Sequence, residues 1–303
     1  MTASDNKPVY LAADCGGSNC RVRLYDRDGR MLAEGTGGAA NAAVALEPVM
    51  SEIFRAARKA LARLGSDAVP LSQLHAGFAI AGLVEATRRQ EFVTMPHPFA
   101  SMTAETDAFV AHLGVFAGED GGLLITGTGS CAFAVMGAEK FYIGGWGFQV
   151  SDQGSGARLG HLAVRRALQA ADGILPASPF CTALLGRVGG APAEVSRWAL
   201  SAAPADYAAL ATLVFEHAAR EDEVALSLLR TIGAEIDQMI RALVKRGVED
   251  IHHTGGIAHA IRPWLDKSLA RHAASPRGDV FDGALRLINN RTGLINKTGT
   301  ARA

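Results

Sequence analysis

Hydrophobic and polar positions along the chain repeat one plan twice. Residues 9–13 are an unbroken apolar run of strand length, ending in the small and polar residues Asp14-Cys15-Gly16-Gly17-Ser18-Asn19. A second strand is predicted over 21–25, a turn at Asp26-Arg27-Asp28-Gly29, and a third strand over 31–34. Much further on, Leu123-Leu124-Ile125 is again a buried strand, running into Thr126-Gly127-Thr128-Gly129-Ser130. Apolar residues return over 132–136, and a polar turn follows at 137–140. Two hairpins of the same design, about a domain apart, predict two similar halves facing one ligand.

The remaining elements follow from period. Val49, Ile53, Ala56, Ala57, Ala60, Leu61 and Leu64 recur at helical spacing and predict a helix over 47–64 with one buried face. A central strand and turn are expected over 78–82, a short helix over 88–92, a strand over 102–106 and a helix over 108–116. Beyond Ser155 a helix should bury Leu159, Leu162, Ala163 and Ala167. Residues 170–222 read as short helices broken by Gly189-Gly190, Pro192 and Pro204. The longest helix, 226–246, turns Leu229, Ile232, Ile236, Met239, Ile240 and Leu243 inward. A strand over 248–253 and a short helix over 282–288 complete the pattern, and 292–303 read as frayed.

Composition narrows the class. At 303 residues there is room for about two domains. Hydrophobic residues make up 49% and charged residues 20%, as in a soluble globular enzyme. Thirty basic residues balance thirty acidic ones, with no Lys/Arg run, so a nucleic-acid partner is not expected. No apolar stretch approaches membrane-spanning length, and the polar start lacks a signal peptide's apolar core. Cys15, Cys20, Cys131 and Cys181 show no metal-like clustering and predict free thiols in a reducing cytoplasm.

Candidate chemistry gathers at the strand ends. Glycines let backbone approach a bulky anion, and Thr and Ser hydroxyls add donors beside the main-chain N–H groups. No Gly-Lys-Ser/Thr follows either turn, so neither is a P-loop. Taken singly, each turn also fits an ordinary tight hairpin. Asp14 can hold hydrated Mg²⁺ against phosphates or simply shape its turn. Asn41 offers the donor and acceptor a sugar hydroxyl needs, or caps a turn. Asp107, at a strand end opening a helix, can cap that helix or project into a cleft. Trp146, flanked by glycines and followed by Asp152, combines an apolar face with a carboxylate, as a sugar site requires; core packing is the alternative. Gly255-Gly256, between a strand and a helix, let a flat base and ribose lie on backbone. His252 and His253 tempt a metal reading, but neighbours on a strand point to opposite faces, so strand filler is expected.

On these motifs the chain resembles the actin/hexokinase/Hsp70-type ATPase superfamily. Within it the resemblance is to the N-acetylglucosamine kinase branch of the BadF/BadG/BcrA/BcrD family, over nearly the whole chain. Asp14-Cys15-Gly16-Gly17-Ser18 resembles the family's Asp-Gly-Gly-Gly-Thr, with Cys15 for a glycine and Ser18 for Thr. Thr106-Asp107-Ala108 resembles Asn-Asp-Ala. Gly145-Trp146-Gly147 with Asp152-Gln153-Gly154-Ser155 resembles Gly-Trp-Gly and Asp-Glu-Gly-Ser, with Gln153 for Glu.

The resemblance implies an α/β fold of two ribonuclease-H-like, actin-like ATPase domains around a nucleotide cleft. The first would be 1–118, joined by a C-terminal helix at about 286–303, and the second 119–285. ATP would lie on Asp14, Gly16, Gly17, Ser18, Gly127, Thr128, Gly129, Gly255 and Gly256, with Mg²⁺ held by Asp14 through water. An amino sugar would lie on Asn41, Asp107, Ser130, Gly145, Trp146 and Asp152, with Asp107 as the base. The implied reaction makes a sugar 6-phosphate, from N-acetylglucosamine first and glucosamine second, in a cytoplasmic homodimer. Two rivals differ in class. An ATPase activator of a 2-hydroxyacyl-CoA dehydratase needs paired cysteines for an iron–sulfur cluster, and here the cysteines are scattered. A sugar-binding regulator without catalysis would not need Asp107.

Overall fold

The computed structural model describes residues 7–17, 19–43 and 45–292. They form two compact units, one reaching to Glu119 and resuming at Ser275, the other Asp120–Ala274.

The first unit opens with β1 (Tyr10–Cys15), β2 (Cys20–Tyr25) and β3 (Met31–Gly37), an antiparallel meander. Helix α1 (Leu46–Ala62) crosses to β4 (His75–Ile80), α2 (Ala86–Thr94) to β5 (Ser101–Thr106), and α3 (Asp107–Val115) follows at once. The sheet order is β3-β2-β1-β4-β5, with β1, β4 and β5 parallel. Helix α1 buries Val49, Ile53, Ala56, Ala57 and Ala60 against the sheet, as its period requires.

The second unit repeats the plan with β6 (Gly121–Thr126), β7 (Ser130–Met136) and β8 (Glu139–Gly144). Then come α4 (Gly156–Ala171), α5 (Pro179–Arg187), α6 (Pro192–Ser201), α7 (Pro204–Ala209), α8 (Ala211–Ala218) and α9 (Glu223–Lys245). Strand β9 (Ile251–Thr254) and the one-turn α10 (Ala258–Ile261) complete it. Sheet order is β8-β7-β6-β9, with β9 parallel to β6. Strand β8 was not expected. It is an edge strand whose Phe141, Tyr142 and Ile143 are all half-buried, so no alternation announces it. Helix α9 buries the predicted face and is capped by Asp222, whose carboxylate accepts from Val224 N and Ala225 N.

Helix α11 (Val280–Thr292) returns to the first unit. It packs on α3 and on the strands β1, β4 and β5. Contact with α3 is backbone to backbone: a β-carbon on Gly114 would overlap the Asp279 carbonyl, and one on Gly283 the Val110 carbonyl. The expectation for 293–303 lies outside the described residues.

The cysteine expectation is corrected for one pair. Cys15 and Cys20 stand directly opposite across β1 and β2, their Cα atoms 4.0 Å apart, and are joined as a disulfide. Cys131 and Cys181 take no part in a disulfide. Among the described residues no helix is long and apolar enough to cross a membrane.

Candidate functional site

In the first unit the candidates collect at one end of the parallel strands. Cys15 is in register with Ile80, and Ile80 with Thr106, so β1, β4 and β5 end side by side. Gly16 and Gly17 follow β1, Gly82 follows β4, and Asp107 follows β5. The loop carrying Asn41 is tied to two of these ends. Ala40 N donates to Gly16 O and Ala42 N to Ala81 O, both at 2.9 Å. Asn41 Oδ1 accepts from Ala43 N at 2.9 Å, which orients the side chain and leaves its amide nitrogen as a donor able to meet a hydroxyl. Ser18 lies outside the described residues.

Two carboxylates dominate this edge. Asp14 accepts from Arg21 Nη2 at 2.6 Å, its cross-strand partner. Asp107 is the first residue of α3 and does not cap it. That task falls to Thr106, whose hydroxyl accepts from Phe109 N at 3.2 Å. Asp107 Oδ1 accepts from Ala108 N at 2.9 Å. Burial pushes the Asp107 carboxyl above the usual carboxylate range, and the Asp14 charge pushes it the same way. A carboxylate raised in this way holds a proton more tightly than an ordinary one, which suits a general base.

In the second unit the β6–β7 turn is clamped onto α4. Gly127 N donates to Gly129 O, Gly127 O accepts from Gly156 N, and Thr128 O accepts from Ala157 N. The first N–H groups of α4 are thereby engaged by protein, with Arg158 N held by its cap Ser155. Ser130 is buried. Its hydroxyl donates to Gln153 O at 2.6 Å and its N–H to Asp152 Oδ1 at 3.3 Å, so it fixes the Asp152 loop. Asp152 adopts a left-handed backbone, φ 64°, which a non-glycine residue holds only where its surroundings compel it. Burial raises its carboxyl pKa, opposed by the Ser130 N–H. Trp146, by contrast, is 75% exposed and takes no part in the core. It stands on a turn whose flanking Gly145 and Gly147 have φ of 79° and 93°.

Beside the β6–β7 turn lies a cavity of about 400 Å³. Gly127 and Thr128 form one side, Gly256 and Ile257 another, and Thr212 and Phe215 of α8 a third. Its volume falls in the range of small-ligand sites. The two glycines of the β9 turn have different duties. Gly255 has φ 113°, and a β-carbon there would overlap the Thr126 backbone. Gly256 borders the cavity, and the nearest protein atom to its β-carbon position is 4.0 Å away.

Several residues escaped the sequence reading. Arg21 could have been found from hairpin symmetry, because a turn centred on Gly17-Ser18 sets Asp14 opposite Arg21. Glu235 could not. From α9 it accepts from Gly154 N at 2.8 Å and from Arg158 Nε and Nη2 at 3.1 and 3.0 Å, fixing the loop beyond Asp152 across a long sequence separation. Thr212 and Phe215 carry no local signal.

Comparison with known proteins identifies the family and the fold. The model of the BadF/BadG/BcrA/BcrD ATPase family matches residues 13–285. A Vibrio cholerae protein named glucosamine kinase is 34% identical over 290 residues, spanning 96% of this chain and 99% of that one. The crystal structure of a Chromobacterium violaceum protein, provisionally named an N-acetylglucosamine kinase, superposes with TM-score 0.86 at 32% identity. That match covers 93% of this chain and 99% of the other. A glucokinase of the ROK family from Streptomyces griseus, with glucose and AMPPNP bound, shares the fold at TM-score 0.58 and 17% identity, over 92% and 98% of the two chains. The fold is the α/β actin-like ATPase fold of sugar kinases, and the chain belongs to the BadF/BadG/BcrA/BcrD ATPase family.

Proposed function

We propose that the chain is an ATP-dependent kinase transferring the γ-phosphoryl group to the 6-hydroxyl of an amino sugar, with N-acetylglucosamine as first substrate. The observation that carries this reading is Asp107, a carboxylate relieved of capping by Thr106, with its pKa raised, on the strand edge that also holds Asp14. The Vibrio and Chromobacterium relatives, both named as amino-sugar kinases, support it.

In this reading Asp107 accepts the hydroxyl proton as the new O–P bond forms and the bond to the leaving ADP breaks. Phosphoryl transfer asks mainly for positioning and charge neutralisation. Backbone at Gly16, Gly17, Gly127, Thr128 and Gly129 cradles phosphates, with Ser18 in the same turn. Gly255 and Gly256 border the adenosine. Asn41, Gly145, Trp146 and Asp152 meet the sugar, with Ser130 holding Asp152 in place. Asp14 is the residue that would hold Mg²⁺ through water. A single carboxylate suits an ion that keeps several waters and binds mostly substrate phosphate, and the ion, when bound, neutralises phosphate charge. Among the described residues no cluster of three or more His, Cys, Asp or Glu offers a protein cage.

Glucosamine is the second reading, favoured by the name of the 34% identical relative. ADP release measured against a panel of hexoses, free and N-acetylated, tests both. N-acetylglucosamine should give the highest kcat/KM. A higher value for glucosamine replaces the first substrate by the second. If no sugar raises turnover above background hydrolysis, the kinase reading fails.

A further inference from the structure

His253, expected to be strand filler, makes a specific contact behind the cavity. It lies on β9 with its parallel neighbour β6 alongside, Leu124 in register with His253 and Ile125 with Thr254. The next residue of β6, Thr126, has no exposed surface. His253 Nε2 and Thr126 Oγ1 share a hydrogen bond of 2.8 Å. Neither residue lines the cavity.

Thr126 joins the two turns that do. Its peptide leads directly into Gly127 and Thr128. Its carbonyl accepts from Ile257 N at 3.2 Å, and Gly255 packs on its backbone so closely that no β-carbon fits between them. A shift of Thr126 therefore moves one wall of the cavity against the other. The geometry points to His253 as a positioning residue for the nucleotide, setting through Thr126 the spacing of the Gly127-Thr128 and Gly256-Ile257 walls without touching the ligand.

The chemistry of the ring suits a fixed strut. Burial, with Arg262 and His252 nearby, lowers the His253 pKa to about 4, so the imidazole is neutral across the physiological range and the hydrogen bond does not switch. His252, one residue away, turns elsewhere, with Nδ1 against Ala274 O at 2.9 Å.

The inference rests on the kinase reading, and its test separates the two. ATP binding without sugar is measured by calorimetry on the whole protein, and then kcat and both KM values are measured. His253→Leu strands the Thr126 hydroxyl in the interior and should weaken ATP binding roughly 5- to 30-fold, as expected for a buried polar group left unpaired. Thr126→Val should do the same, and the double variant should be little worse than either alone. KM for ATP should rise in step, while kcat and the sugar KM stay within about twofold. His253→Gln, which restores an amide near the hydroxyl, should recover most of the affinity. Should His253→Leu fail to fold, His253→Gln and Thr126→Val decide the matter. A wild-type protein that binds no ATP overturns both readings. His253→Leu or Thr126→Val binding ATP as the wild type does overturns this inference alone. So does an equal loss on kcat and both substrates, because that reports general damage to the second unit.

Discussion

Replacing Asp107 by Asn separates chemistry from folding. Asp107 Oδ1 accepts a hydrogen bond from Ala108 N at 2.9 Å, and an Asn carbonyl oxygen can keep it. The helix cap belongs to Thr106 and is untouched. What Asn cannot do is accept the hydroxyl proton. Loss of a general base lowers turnover by about 10² to 10⁴, equivalent to roughly 2.7 to 5.5 kcal/mol in the barrier. Stability should move the other way. Burial and the Asp14 charge raise the carboxyl pKa in the folded state above its unfolded value. The stabilising contribution of a protonated Asp107 is then complete below the unfolded pKa and is lost as pH rises through the folded pKa. Above that point the native state carries a desolvated charge that Asn lacks. Asp107→Asn should therefore melt at a higher temperature than wild type at neutral pH. The gap should close as the pH is lowered from neutral toward the ordinary carboxylate value of about 4. Thermal melts at the two ends of that range, beside single-turnover ADP release, measure both effects. Near-normal turnover removes Asp107 from the mechanism and makes Asp152 the next candidate. A clear fall in melting temperature at neutral pH refutes the electrostatic argument even if turnover is lost.

The two glycines after β9 should respond differently to substitution. Gly256→Val places a branched side chain on the cavity wall, where its β-carbon comes no nearer than 4.0 Å to protein, so ATP binding should weaken at least tenfold while sugar binding and melting temperature hold; calorimetry with each ligand separately checks it. Gly255→Ala meets the Thr126 backbone at a φ of 113° and should lower the melting temperature itself, by about 1–3 kcal/mol of strain. The third expectation is a pH effect. The folded-state pKa of His253 is lowered from 6.5 to about 4, so the unfolded chain takes up a proton before the native one as pH falls. Stability should decline between pH 6.5 and 4, by up to about 3 kcal/mol from this group. His253→Gln should flatten that decline in melts followed against pH, and an unchanged slope would place the ring in solvent.

What could be read from the sequence, and what could not, divides by distance along the chain. Helices α1 and α9 were legible because their buried residues repeat at a period that only one face of a helix satisfies. The paired hairpins were legible for a similar reason, each being a contiguous stretch. Strand β8 was not, because an edge strand half-buried on both faces has no alternation to betray it. The cysteine pair was a missed inference of a simple kind. Once the first turn is centred on Gly17-Ser18, antiparallel register puts Cys15 opposite Cys20 and Asp14 opposite Arg21. The grip of Glu235 on Gly154 and Arg158, and the His253–Thr126 contact, join residues far apart in the chain, and no local pattern encodes them. At Asp107 the sequence left capping and catalysis entangled. The structure separates them by one position, giving the cap to Thr106.

The same separation can be made among the glycines, and it bears on the site more directly than any motif. A glycine is imposed by the protein where a side chain would collide or where the backbone is left-handed, and Gly255 meets both conditions. Gly16, Gly17, Gly127 and Gly256 meet neither. Among the described residues, the nearest atoms to their β-carbon positions are 3.9 Å away at Gly16, 3.8 Å at Gly127 and 4.0 Å at Gly256, and nothing lies within 4 Å at Gly17. Such positions add conformational entropy to the unfolded chain without a packing return, so alanine there should be neutral or slightly stabilising, by about 0.4–1 kcal/mol. All four lie in the two hairpin turns or on the cavity wall. A protein that gains nothing from these glycines by itself gains from them when a phosphate chain or a ribose lies against the backbone. Alanine at Gly16, Gly17 or Gly127 should therefore raise the melting temperature of the free protein and at the same time raise the KM for ATP. If either change goes the other way at all three positions, the open backbone is not reserved for the nucleotide.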